Sequence, residues 1–545
     1  MKRDYSFLDN LERGMFYSKK EYDRSHVPTY EEVIGFLPKP YVSSHPQWRE
    51  CYDYAVKVLY RNIHEPKDGS GYVSAFVDAA FNKDIFLWDT SFMTMFCALF
   101  HPYIPGICSL DNFYAKQFDD GEIPREMVRD TGKDMLLWVN AYNRPLYSYF
   151  HKNYKYRGLW ECDKLDYEDF YKPDLGHVPE KNPYLTLDNL NHPILFFAEW
   201  VSYRQTGDIS RLREVFEPLY QYYRALHYHI RHTSGLYVTD WASMDNSTRN
   251  KDLFLAVDTS SEMVFFANTL IRMIDELRTN GIEVKNSAER RSTLEKESEE
   301  TKTAINSCMW DDETGFYYDL DKNMKRIPIK TAAAFWTIIA HVADEEQLKR
   351  LSKWLDDENT FNRLHRVPVL AADEENYDPN GNYWRGSVWA PINAMVVLGL
   401  TARGYRAQAR DIALNDLDAV TKVFESTGTI WENYPADYLT KGYSDHPDMV
   451  GWSGMAPILF LIRYGVGLES TESGLVWYLR REDLKRGSIG CRNYWWKNKT
   501  ASFNAEIRDG KVVITVESED EFDFTLDLDG KKKEFHVREK LKEEI

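Results

Sequence analysis

Apolar residues recur at spacings of three and four from about residue 46 to about residue 465, the period of helices that bury one face. Segments such as "HPQWRECYDYAVKVLYRNI", "NLNHPILFFAEWVSYRQTG", "DISRLREVFEPLYQYYRALHYHIRH" and "YRAQARDIALNDLDAVTKVFEST" bring the tally to roughly a dozen helices. Several begin at Asp or Ser and stop at Gly, the pattern of capped ends. The helices are of two kinds. The one from Asp208 to His232 is charged and amphipathic, whereas "TAAAFWTIIAHV" and "GSVWAPINAMVVLGL" are almost uncharged. A helix apolar on every side is buried on every side. Alternation of the two kinds is what two concentric rings of helices need, so the expected fold is mainly α, an (α/α)6 toroid barrel. An α-solenoid is the competitor, but no repeat of fixed period runs through the chain.

Two regions break the helical period. Residues of about 131–183, centred on "YSYFHKNYKYRGLWECDKLDYEDFYKP", are rich in Tyr, Asp and Lys and read as an ordered cap over a cleft. After about residue 468, "TASFNAEIRDGKVVITVES" and "EFDFTLDLDGKKKEFHV" alternate apolar and polar positions, with Asp-Gly turns joining strand pairs. The expected division is an irregular arm at 1–45, the barrel at 46–467 and a small antiparallel β domain at 468–545.

Composition narrows the classes. With 545 residues and 43% hydrophobic content the chain buries a large core. Its 16 Trp and 36 Tyr suit surfaces that need an apolar face with a polar tip, as sugar-binding clefts do. A net charge of -18 argues against nucleic acid and anionic membranes as partners. The six cysteines form no C-x-x-C pair, so neither a zinc site nor a dense disulfide framework is expected, and no cofactor is. "MKRDYSFLDNLERG" has no apolar run after its basic residues, which points to a cytoplasmic protein unless a leader has already been removed. Oligomeric state is not written in the sequence.

Four junctions between helices concentrate polar and aromatic residues: "FNKDIFLWDTSF", "TDWASMDNSTRN", "NYDPNGNYWRGSVWAPIN" and "WENYPADYLTKGYSDHPDMVGWSG". In the first, Asp89 is either a helix cap or a ligand for sugar hydroxyls beside Trp88. In the second, Asp245 and Asn246 sit in a turn-forming run, and Trp241 and Met244 supply the apolar surroundings that keep a carboxyl protonated near neutrality. In the third, Arg385 lies between Trp384 and Gly386 and needs a partner, a carboxylate or a substrate oxygen. The fourth places Glu432 between Trp431 and Asn433, with Tyr434 beyond as a second wall. It continues to His446, a substrate or structural contact, and to Trp452 at the entry to a buried helix. Asp437 reads as a loop residue. Two carboxyl groups on facing elements are the minimum for breaking a glycosidic bond: one protonates the leaving oxygen, the other activates water or attacks. Asp245 and Glu432 are that pair if the barrel closes.

"FLWDTSFM", "FDDGEIPRE", "DNLNHPILFFAEW", "SMDNSTR", "WDDETGFYYDLD", "NYWRGSVWAPIN" and the run from Trp431 to Gly454 together resemble glycoside hydrolase family 63. That family of (α/α)6-barrel enzymes includes processing α-glucosidases, and the family 37 trehalases are its neighbours. The matches keep family order over about residues 80–465. The resemblance implies that Asp245 is the general acid and Glu432 the general base of an inverting hydrolase, with carboxyl groups roughly 6.5–9.5 Å apart. It also implies that Trp88, Asp89, Trp384 and Arg385 line the glycone subsite. The family turn reads Glu-Ser-Gly before its Met or Trp and Pro, then Arg-Trp, after. Here Trp241, Ala242 and Ser243 precede Met244, and Thr248, Arg249 and Asn250 follow. No substrate transfers with such a motif: α-glucosides are the default, and α-mannosides and α-galactosides stay open. The β domain also stands at the C-terminus, where some members carry a large N-terminal β-sandwich instead. Two other classes compete. A polysaccharide lyase on an α/α toroid would use Arg385 and His446, but needs a basic cleft. A non-catalytic carbohydrate-binding homologue would lack one of the two carboxylates.

Overall fold

A computed structural model describes residues 14–19, 22, 27–101, 103–117, 121–132, 193–239, 244, 247–249, 254–321, 323–443, 446–448 and 451–545. The expected cap falls almost wholly outside them. Within them the principal helices are α1 (Pro46–Arg61), α2 (Leu87–Cys97), α3 (Leu195–Thr206), α4 (Ile209–Ile230), α5 (Val257–Thr279), α6 (Ser287–Ala304), α7 (Glu345–Trp354), α8 (Ala390–Ala402), α9 (Arg406–Thr427) and α10 (Met455–Val466). The last is wound wide, its end closed by the Gly467 N–H on the Ile462 carbonyl at 3.0 Å.

The two kinds of helix take different places. Every residue of α10 is buried, as is α8 from Pro391 to Leu400 and nearly all of α2. In contrast, α6 buries only Leu294, Glu297, Ser298, Thr301 and Ala304. α8 packs on α9, α9 on α10, α5 on α4 and α6, and α2 on α3, so uncharged helices lie inside charged ones. Asp208 caps α4, its side chain accepting the Arg211 N–H at 3.1 Å. Among the described residues no helix is long and apolar enough to cross a membrane.

The C-terminal region is β-rich. Strands β2 (Leu468–Thr471), β3 (Gly474–Leu479), β4 (Ile489–Trp496), β5 (Lys499–Arg508), β6 (Lys511–Ser518), β7 (Phe522–Leu528), β8 (Lys531–Val537) and β9 (Lys540–Glu544) form two sheets. One has the order β2-β3-β7-β8, antiparallel except where β3 runs parallel to β7. The Asp-Gly turns occur where expected: Asp509 and Gly510 have φ of 50° and 78°, Asp529 and Gly530 of 52° and 82°, as tight hairpins with a right-handed twist demand.

The second sheet corrects the reading of residues 1–45 as an irregular arm. Lys39–Val42 is a strand, β1, placed at the edge of the order β1-β4-β5-β6-β9, with Pro40 opposite Cys491. An edge strand tolerates the missing N–H of Pro40. Val42 is buried there, and the Tyr41 hydroxyl donates to Asn504 Oδ1 at 2.7 Å.

Candidate active site

Two of the four junctions are tied directly into one β ladder. Ser387–Val388 pairs with Tyr434–Pro435, Ser387 opposite Pro435, which sets the Trp384 segment beside Glu432. Gly386 makes the approach possible. Its φ is 152°, and a Cβ there would lie 2.4 Å from the Asp378 carbonyl oxygen. The first junction joins through α2, which packs against Trp452–Gly454, and through the Gly451 N–H on the Ala79 carbonyl at 3.3 Å.

Glu432 is 1% exposed. Its Oε1 accepts the Tyr383 hydroxyl at 3.2 Å, and its backbone carbonyl accepts the Trp452 indole N–H at 2.8 Å. Ser453 Oγ donates to the Trp431 carbonyl at 2.5 Å, so backbone on both sides of the Trp431–Glu432 peptide is anchored to the entry of α10. Sequence reasoning missed Tyr383, although it adjoins Trp384 in the quoted run. Its φ of 63° follows an Asn382 φ of 42°. A bulky residue in the left-handed region is strained and persists only where surrounding structure over-determines it. Here the strain aims the phenol at Glu432.

Tyr383 and Trp452, which contact Glu432, belong to one aromatic cluster. Trp384 stacks on Trp389 with ring centroids 4.3 Å apart and 11° between planes. Tyr383 meets Trp389 edge-on at 4.8 Å, as does Trp452 at 5.5 Å. Such pairs add about 0.5–1.5 kcal/mol each beyond the burial of area. Trp389 and Ser453 were not among the residues singled out. Arg385 is half-buried, and its backbone carbonyl accepts the Asp378 N–H at 2.8 Å.

Tyr434 takes a different place from the one expected. It is 4% exposed, its hydroxyl accepts the Trp431 N–H at 2.9 Å, and its ring faces His365 at 5.7 Å, so it braces the loop from inside. Trp431 is tied back to the end of α9 through its indole N–H on Thr427 Oγ1 at 3.0 Å, with the Lys441 ammonium 4.8 Å above the ring. Asp437 is more than a loop residue. It accepts Arg363 Nε at 2.7 Å and the Tyr377 hydroxyl at 2.9 Å. One residue before Asp437, the Ala436 carbonyl accepts the His365 N–H at 2.8 Å, and His365 pairs its Nε2 with Asp416 Oδ1 at 2.6 Å.

Asp89 lies in the first turn of α2, while Phe86 occupies the cap position, so the capping reading is set aside. Burial pushes its carboxyl up to about 8, with Arg125 opposing and Glu126 and Asp78 reinforcing that rise. Arg125 and Glu126 come from "FDDGEIPRE", and Glu126 is opposite Phe86 in a short ladder. Trp88 is half-buried, 6.1 Å from Trp336. His446 lies against Phe81 at 4.3 Å, joining the fourth junction to the first. Trp241, Asp245 and Asn246 lie outside the described residues. Among the described residues no group of three or more His, Cys, Asp or Glu side chains could hold a metal ion.

The sequence model of the mannosylglycerate hydrolase MGH1-like glycoside hydrolase domain matches residues 186–438. An uncharacterized protein of Borreliella burgdorferi is 29% identical over 253 residues, covering 45% of this chain and 52% of that protein. The cytosolic neutral trehalase of Kluyveromyces lactis is 31% identical over 156 residues, covering 28% of this chain and 20% of the trehalase. The chain thus spans about half of the first relative and a fifth of the second. In fold it is similar to the family 63 mannosylglycerate hydrolase of Thermus thermophilus solved with glucose, at a TM-score of 0.55 and 18% identity, over 75% of this chain and 99% of that one. The resemblance to glycoside hydrolase family 63 carried by the motifs is therefore borne out, and residues 186–438 match a glycoside hydrolase domain of the mannosylglycerate hydrolase type.

Proposed function

We propose that the chain is an inverting glycoside hydrolase that cleaves the α-glycosidic bond of a small glycoside or oligosaccharide on an (α/α)6 toroid spanning residues 46–467. Asp245 is the general acid and Glu432 the general base. The observation that carries the reading is the setting of Glu432: a buried carboxylate with one oxygen on a strained tyrosine and its backbone held by Trp452 and Ser453, beside the cluster of Tyr383, Trp384, Trp389 and Trp452. A base that must direct water at one carbon needs that rigidity.

Asp89 supports the same reading. A carboxyl kept protonated by burial donates a hydrogen bond to a sugar hydroxyl or accepts one without charge. Trp88, Trp384 and Arg385 complete the glycone side. The relatives favour two small α-glycosides, trehalose and mannosylglycerate, so α-glucosides and α-mannosides lead over α-galactosides. A cytoplasmic site of action goes with the reading, as the name of the Kluyveromyces trehalase suggests.

The test is turnover of trehalose, mannosylglycerate and chromogenic α- and β-glycosides by the wild type, Asp245→Asn and Glu432→Gln. Hydrolysis of an α-glycoside that drops at least about 1000-fold in each variant is expected, in line with the loss of an essential acid or base. Near wild-type turnover in either variant removes that residue from its role.

A further inference from the structure

α10 enters beside Glu432 and leaves beside a second cavity. That cavity holds about 590 Å³ where α9 and the end of α10 meet β3 and β7, and Arg406, Arg410, Arg463, Tyr478, Asp483 and Asp529 are among the residues that line it. The seam around it is fixed. The Gly467 carbonyl accepts the Tyr478 N–H at 2.8 Å, and a Cβ at Gly467, whose φ is 91°, would collide with the Tyr478 carbonyl. The volume lies in the range of small-molecule sites and is many times the roughly 30 Å³ of one water, so a bare ion does not fill it.

Most charges along the cavity are already matched. Asp483 accepts Arg410 Nη2 at 2.8 Å, Asp529 accepts the Arg481 N–H at 3.1 Å, and Asp527 accepts the Gly530 N–H at 2.9 Å. Arg406 donates through Nη1 to Glu469 and through Nη2 to the Arg463 carbonyl at 3.2 Å, its guanidinium carbon 3.4 Å from the centre of the Tyr478 ring. Asp411 is exposed, where water and salt screen it.

Arg463 is the exception. It is 4% exposed, and its Nη1, sealed from solvent, has no hydrogen-bond partner among the described residues. Its charge acts on a neighbouring cation as well. Burial first, and the Arg463 charge next, push the Arg204 guanidinium down to about 10 against the pull of Glu469 and Glu472. A place in the last turn of α10 puts the helix dipole in favour of a cation, but a dipole supplies no acceptor. A buried guanidinium with no anion is costly, and its planar fork matches the oxygens of a carboxylate or phosphate.

We propose that this cavity binds a small organic oxyanion, a phosphate or carboxylate carried on a hydroxylated body. Arg463 is its counter-charge and Arg410, which uses one hydrogen bond of the five donors an arginine has, gives further donors. The carboxylates of the lining accept from the hydroxyl groups. The site lies apart from Glu432 and holds whatever sugar the chain cleaves.

The experiment is titration calorimetry on the full chain in a low-salt buffer free of phosphate. The probes are inorganic phosphate, glucose 6-phosphate and D-glycerate, and the proteins are wild type, Arg463→Met and Arg410→Gln. Wild type is expected to bind an organic probe more tightly than inorganic phosphate. Glucose 6-phosphate in the lead identifies a phosphate ligand, and D-glycerate in the lead a carboxylate. Arg463→Met is expected to raise that Kd about 10- to 100-fold and Arg410→Gln about tenfold, as loss of a charged hydrogen-bond donor predicts. If Arg463→Met does not fold, Arg410→Gln decides alone. No binding of any probe by wild type, inorganic phosphate binding best, or a Kd that the substitutions leave unchanged overturns the proposal.

Discussion

Replacing Asp89 with Asn tests the electrostatics of the site independently of any substrate. The side chain keeps its shape and loses its proton equilibrium. In the unfolded chain this carboxyl ionises near 3.8, and in the folded chain burial raises that to about 8. Between those values the native state holds a proton that the unfolded state has released, so stability falls as pH rises, by up to about 1.4 kcal/mol per pH unit. From pH 3.8 to 7 the loss is about 4 kcal/mol. Asn carries no such penalty. Urea unfolding of wild type and Asp89→Asn at pH 5, 6, 7 and 8 is therefore expected to show the variant gaining on the wild type by about 1.4 kcal/mol per unit and levelling off near pH 8. Activity should fall in the same variant, since its amide cannot stand in for a carboxyl acid at every hydroxyl. A stability difference that stays constant from pH 5 to pH 8 would refute the claim that Asp89 is held protonated.

Three further substitutions probe the surroundings of Glu432. Tyr383→Phe removes the hydroxyl 3.2 Å from Oε1 and is expected to lower kcat about tenfold or more with little change in melting temperature, measured by steady-state kinetics and calorimetry. Asp437→Ala strips the partner from Arg363 and Tyr377, and should cost about 1–3 kcal/mol in urea unfolding while lowering kcat through the loop it anchors. Gly386→Ala forces a methyl group to within 2.4 Å of the Asp378 carbonyl at φ 152°, so a loss of about 2 kcal/mol or more is expected, with a melt as the readout.

The helical period, the two kinds of helix and the Asp-Gly hairpins were legible in the chain because each is a local rule. Glu432 was legible because its neighbours are unusual in composition. Tyr434 shared that composition and still went to the core, since the pairing of Val388 with Tyr434 places its ring against His365, and no local pattern encodes that register. Asp437 looked idle for the same reason: its partners Arg363 and Tyr377 lie 74 and 60 residues away. β1 was read as irregular because its partner strand stands at the other end of the chain, Pro40 opposite Cys491. The strain at Tyr383 is a backbone property that a sequence full of ordinary residues does not announce.

The anomer released first tests the central claim most directly. Proton NMR during the first minutes of hydrolysis, with the wild type acting on mannosylglycerate or a chromogenic α-glycoside, whose leaving group is not a reducing sugar, distinguishes the β sugar from the α sugar before mutarotation mixes them. A general base at Glu432 that activates water predicts the β anomer first. The α anomer first would mean that a carboxylate attacks the sugar itself, and would contradict the account.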